Sequence, residues 1–174
     1  MAARHVNGID PEASRAIRNL ILKNGDGEFS RPEYRVKVSW NTGYRTTSRV
    51  TDGQVVAGDE PPQYGGEGRG LTPQDLLLTA IGHCLAATYV GGLSAAGIGI
   101  RSLQLDVSGR VDFRAAFAPG PDHPGFDRIG VRVEIEADAP PEQLDALLER
   151  LLKTAPIPDT IMRPVPLDVD VVHR

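Results

Sequence analysis

The sequence predicts an α+β fold in which antiparallel sheets wrap around one long buried helix, with a second copy of the chain completing the cover. Three observations predict it. Apolar and polar residues alternate over 34–40, 100–113 and 129–137, the period of half-buried strands. From Leu76 to Ala96 almost every position is apolar or small, and a helix that is apolar all round must be buried on all sides. A small sheet covers only one side of such a helix. An intertwined homodimer burying a large apolar area is therefore expected.

The elements follow in order. Asp10 is a suitable N-cap and Pro11 a suitable first helical residue, and Ala13, Ile17, Leu20 and Ile21 form one stripe, so a helix is expected over 11–23. Residues 1–30 read as an N-terminal helical extension and 31–174 as a single domain. Tyr34–Trp40 and Tyr44–Val50 form a hairpin about the Asn41-Thr42-Gly43 turn, with a short third strand at Gln54–Val56. The stretch 58–70 is rich in Gly and Pro and has no periodicity, and long loops of this kind are usually functional. Thr72 and Pro73 then open the central helix, Gly82 or Gly91-Gly92 offer places for a kink, and Gly97 suits its end. Strands over 100–113 and 129–137 flank a loop at 115–126. Leu144, Leu147, Leu148, Leu151 and Leu152 mark an amphipathic helix after Pro140-Pro141. Residues 154–159 break it, a helical turn follows at 160–162, and Val165–Val172 reads as a closing strand.

Totals bound the function. The chain has 174 residues, 40% hydrophobic and 24% charged, with a net charge of −4. That is the composition of one globular domain, without the basic footprint of a nucleic-acid binder. No apolar run was expected to span a membrane, and the first ten residues lack the apolar core of a signal peptide. The single cysteine, Cys84, excludes an internal disulfide and makes the reducing cytoplasm the default location. His5, His83, His123 and His173 have no metal-ligand spacing, so neither metal nor cofactor is expected.

The chemistry centres on Tyr64–Thr88, YGGEGRGLTPQDLLLTAIGHCLAAT, where a glycine-rich loop leads into the central helix and Cys84 stands eleven residues after Pro73. The loop lacks the Gly-Lys-Ser/Thr of a phosphate-binding loop. In this layout the chain resembles the OsmC/Ohr family of thiol peroxidases over residues 34–172. The matching parts are the glycine-rich loop, the proline-to-cysteine spacing, and Ala155-Pro156-Ile157-Pro158 where the family carries Cys-Pro-Val-Ser. The resemblance implies a thiolate that attacks a hydroperoxide and becomes a sulfenic acid. It also implies a second cysteine that closes a disulfide, and an arginine held by a glutamate. Here the second cysteine is Ala155 and the glutamate is Gln74. Asp75 lies about 100° around the helix from it. The arginine comes from the N-terminal hairpin in the family, which points to Arg45, with Arg49 as runner-up.

Attack on an O–O bond needs thiolate, and an ordinary thiol is mostly protonated at neutral pH. The helical neighbours of Cys84 are Leu77, Ala80, Ile81, Ala87, Thr88 and Gly91, an almost wholly apolar surface, and the helix start is too far away to help. A cation must come from elsewhere in the fold. His83 is adjacent in sequence but about 100° around the helix. Two functions follow. One is a one-cysteine reductase of organic hydroperoxides, served by an external thiol reductant, with the site Cys84, Arg45 and Gln74. The other is a homodimer without peroxidase chemistry, binding a small apolar ligand between subunits. It takes Cys84 as a small buried apolar side chain, the commoner role of a free cysteine. Glu67 and Arg69 read as solvated.

Overall fold

The computed structural model describes residues 5–118, 120 and 123–173. Helix α1 spans Pro11–Lys23, and Asp10 accepts from the Glu12 and Ala13 N–H groups. Its Ile17, Leu20 and Ile21 remain exposed. The arm before it is clamped by Asn7, which donates to Ser94 Oγ (2.9 Å) and to the Ile98 carbonyl (3.0 Å) and accepts from the Ile100 N–H (2.7 Å).

Strands β1 (Val36–Thr42), β2 (Arg45–Val50) and β3 (Val55–Gly58) form an antiparallel sheet in that order. The hairpin turns at Gly43, whose φ of 54° suits glycine. Strand β3 is tied to the foot of the central helix. The Asp59 N–H donates to the Leu71 carbonyl (3.1 Å), and the Leu71 N–H donates to the Ala57 carbonyl (3.0 Å). Residues 59–71 are thus a loop closed at its base.

Helix α2 is continuous over Pro73–Ala95. Thr72 accepts from the Asp75 N–H and Asp75 accepts from the Thr72 N–H, a reciprocal cap at its start. Gly82 and Gly91-Gly92 do not break it. Gly92 is needed for packing instead, since a Cβ there would overlap the Leu151 side chain. Within one chain the helix is buried on one face only, at Ile81, Leu85, Tyr89 and Leu93, while Thr79, Ala80, His83 and Ala87 are exposed. The expected burial on all sides is therefore half met. By length (23 residues) and mean hydropathy (1.6) α2 is long and apolar enough to cross a membrane, contrary to the reading of the sequence. Here it serves as the core helix, against which β4, α4 and α5 pack.

Strands β4 (Ile100–Val111) and β5 (Phe126–Ala137) pair antiparallel, β5 starting three residues earlier than expected. The stretch read as a loop contains the short helix α3 (Arg114–Phe117), while residues 119, 121 and 122 lie outside the described residues. Helix α4 covers Pro141–Leu152 and α5 covers Pro156–Met162. The break expected at 154–159 ends at Ala155, because Pro156 sits at the first position of α5, where a missing N–H costs nothing. Residues 165–172 do not form a strand. They run without a ladder partner among the described residues, with Leu167 and Val169 87% and 78% exposed. Alternation gives a strand its faces but cannot give it a neighbour.

Two clusters form the core. Leu93, Ile98, Ala137, Leu144 and Leu147 join the end of α2 to the sheet and α4. Ile81, Leu85, Tyr89 and Ala155 join its middle to β4, β5 and α5.

Candidate functional site

Cys84 lies in the second cluster, half-buried on α2. Its sulfur accepts a hydrogen bond from the Ile157 N–H at 3.5 Å. Thr88 Oγ1 donates to the Cys84 carbonyl, which leaves the sulfur free of that hydroxyl. Ile157 is the second residue of α5, and Ala155, at the cap of that helix, has no exposed surface. The position assigned to the missing second cysteine therefore shares a cluster with Cys84. The partly buried apolar side chains there, from β4, β5, α4 and α5, are Leu, Val and Ile.

Arg45 opens β2 and is half-buried. One guanidinium nitrogen is 3.8 Å from the Glu67 carboxylate, and its Nε is buried without a hydrogen-bond partner. Glu67 also pairs with Arg69 at 2.9 Å, and both side chains are exposed, as the sequence suggested. Arg49 is exposed and borders a surface cleft with Tyr34 and Lys37. Gln74 is partly buried in the first turn of α2. Asp75 is committed to Thr72, taking both its N–H and its hydroxyl. Among the described residues no hydrogen bond or ion pair joins Cys84 to Arg45 or Gln74.

The residue missed in the sequence is Asp59, only 3% exposed. One carboxylate oxygen accepts from the Glu60 N–H (2.9 Å) and the other from the Glu67 (3.2 Å) and Arg69 (3.0 Å) N–H groups. The Arg69 N–H, helped by those of Glu60 and Glu67 and by the Arg45 charge, holds its carboxyl below the usual range against the opposing effect of burial. Two glycines let the loop close on this carboxylate. A Cβ on Gly66 would overlap the Glu60 carbonyl, and one on Gly70 would strike the Ala57 backbone. The reach from Asp59 to Glu67 and Arg69 has no periodicity, so only the placement of an acid among glycines and prolines hinted at it.

Tyr64 of this loop packs edge-on against Phe113, the residue before α3, with ring centres 5.1 Å apart. An open cleft of about 540 Å³ runs along the exposed face of α2, lined by Asp75, Thr79, His83, Leu103 and Asp106 among others. His83 faces this cleft, which Cys84 does not line.

The sequence matches the family model described as OsmC-like protein over residues 66–170. A comparison with the curated proteins finds no match. Solved structures with similar folds include an OsmC-like protein from Mycoplasma pneumoniae, with TM-score 0.65 and 20% identity over 75% of this chain and 87% of that one. An OsmC-like protein of unknown function from Vibrio cholerae has TM-score 0.62 and 11% identity over 74% and 92% of the two chains. An organic hydroperoxide resistance protein OsmC from Legionella pneumophila has TM-score 0.56 and 18% identity over 74% and 88%.

Proposed function

The chain belongs to the OsmC-like family, and from that premise we propose that it reduces organic hydroperoxides through Cys84, with an external thiol as reductant. The observation that carries this reading is the half-buried Cys84 sulfur taking an N–H from Ile157 beside the buried position 155. The thiolate attacks one peroxide oxygen, the O–O bond breaks, and the alkoxide leaves and takes a proton as the alcohol. Cys84 becomes a sulfenic acid. With alanine at 155 no internal thiol resolves it. A first external thiol displaces water and forms a mixed disulfide, and a second releases Cys84 as thiol with an external disulfide as product. Such a reductant suits the reducing cytoplasm.

The working unit is a homodimer in this proposal. The chain exposes 13572 Å², against about 8,300 Å² for a compact monomer of its mass. The excess includes Val36, Val38 and Trp40 of β1, which are 57%, 62% and 73% exposed. A second copy covering these surfaces also brings a hairpin arginine, Arg45, to a Cys84 that bonds to no cation among the described residues of its own chain.

The alternative, a small apolar molecule held without chemistry, is favoured by one feature, the cleft along α2 that leaves Cys84 out. Peroxide consumption with a dithiol reductant separates the two. Wild type is expected to turn over and Cys84→Ser to lose the activity. Equal consumption by Cys84→Ser refutes the first reading. A stable folded monomer in sedimentation refutes the dimer.

A further inference from the structure

We propose that Glu67 is the carboxylate that positions Arg45 for Cys84, held in place by Asp59 at the base of the glycine-rich loop, an inference that rests on the peroxide-reduction reading. Three observations converge on it. Arg45 is half-buried, and an arginine in that state needs a partner for its charge. Its Nε is buried and unpartnered, so the guanidinium is not held by hydrogen bonds from its own sheet. Among the described residues, the Glu67 carboxylate is the anion in ion-pair reach, at 3.8 Å.

The competing acids near the foot of α2 are occupied. Asp75 is spent on the Thr72 cap. Asp59 directs its oxygens at three backbone N–H groups, of which two belong to Glu67 and Arg69 themselves. Asp59 therefore fixes the backbone that carries Glu67. Glu67 divides its charge between the exposed Arg69 at 2.9 Å and the half-buried Arg45 at 3.8 Å. Glu67 and Asp59 act through Arg45 and are positioning residues.

Of the cations on the elements packed around Cys84, Arg101 pairs with Asp138 and Arg132 with Glu134, and Arg110, Arg128 and Arg150 are exposed. Apolar side chains from β4, β5, α4 and α5 pack in the cluster that holds Cys84. On α5, Asp159 is paired with Arg163 at 2.6 Å, and on α4, Glu149 with Lys153 at 3.2 Å. On α2 itself, His83 faces the cleft with Asp75 and Asp106.

The test is a double-mutant cycle on the full chain, reading the rate of Cys84 alkylation by iodoacetamide across pH. It needs no peroxide, so it stands apart from the test of peroxidase activity. Glu67→Gln is expected to slow alkylation at neutral pH about 2- to 5-fold, as for loss of a partly exposed ion pair. The half-maximal rate should move to higher pH. Arg45→Ala should slow it at least as much, and the double variant no further. Glu67→Asp should restore part of the rate, and Asp59→Asn should reproduce part of the Glu67→Gln effect. Three results overturn the inference: a Glu67→Gln profile equal to wild type, effects of Glu67→Gln and Arg45→Ala that add in full, or a wild-type Cys84 that no pH renders reactive. If Cys84→Ser still consumes peroxide while the cycle is non-additive, the peroxidase reading fails and the positioning of Arg45 stands.

Discussion

Replacing Ala155 by cysteine should convert the one-cysteine site into a two-cysteine site. Position 155 caps α5, has no exposed surface, and lies in the cluster that contains Cys84. The N–H two residues further on is 3.5 Å from the Cys84 sulfur. A thiol added at 155 therefore enters the neighbourhood of the sulfenic acid, where condensation releases water and forms a disulfide. The bridge would close a loop of roughly 70 residues, worth about 4 kcal/mol by the chain-entropy relation. An extra sulfur in a filled cluster costs about 1–3 kcal/mol. The net gain of the oxidised form over wild type is then about 1–3 kcal/mol. With a denaturation slope of about 2 kcal/mol/M, the urea midpoint rises by about 0.5–1.5 M. The assay compares urea melts and free-thiol counts of the variant after one equivalent of a hydroperoxide, with and without dithiothreitol. A variant that keeps a free thiol at 155 beside a sulfenic acid at 84 would refute the placement of 155 against the sulfur.

Two further outcomes follow from named contacts. Asp59 is held below the usual carboxyl range in the folded chain, so its contribution is complete above the ordinary value of 3.8 and is lost as pH falls through the lowered one. Hydrogen exchange at the Glu67 and Arg69 amides should lose protection in that acid window, while Asp59→Asn should show weak protection already at neutral pH and no acid transition. Asn7→Ala removes three hydrogen bonds, to Ser94, Ile98 and Ile100, and should cost about 1–3 kcal/mol in urea unfolding, with α1 loosened in exchange while Cys84 chemistry is unchanged.

What was legible in the sequence was local. The Asp10-Pro11 and Thr72-Pro73 caps, the hairpin turn and the alternation in β4 and β5 each depend on residues a few positions apart; the caps stand where their spacing put them, while the turn lies at Gly43-Tyr44, with Asn41 and Thr42 in β1, and β5 starts three residues early. The short helix after Ala155 was misjudged because proline stops a helix from inside but starts one at its first position. The Asp59–Glu67–Arg45 connection was hidden for a different reason. It joins a strand start to two points of an aperiodic loop, and only the fold brings those together.

Three apolar surfaces remain open in one chain. The outer face of α2, the exposed β1 and the unpaired 165–172 segment all carry an apolar pattern that one chain leaves open. A pattern encodes which face is to be covered, not by which molecule. Under the dimer proposed above, these open surfaces are those where a hairpin arginine and the thiol would meet. Covering the apolar face and supplying the missing cation are then one event. Loss of the dimer should accordingly slow Cys84 alkylation as Arg45→Ala does, since both remove the arginine from the sulfur.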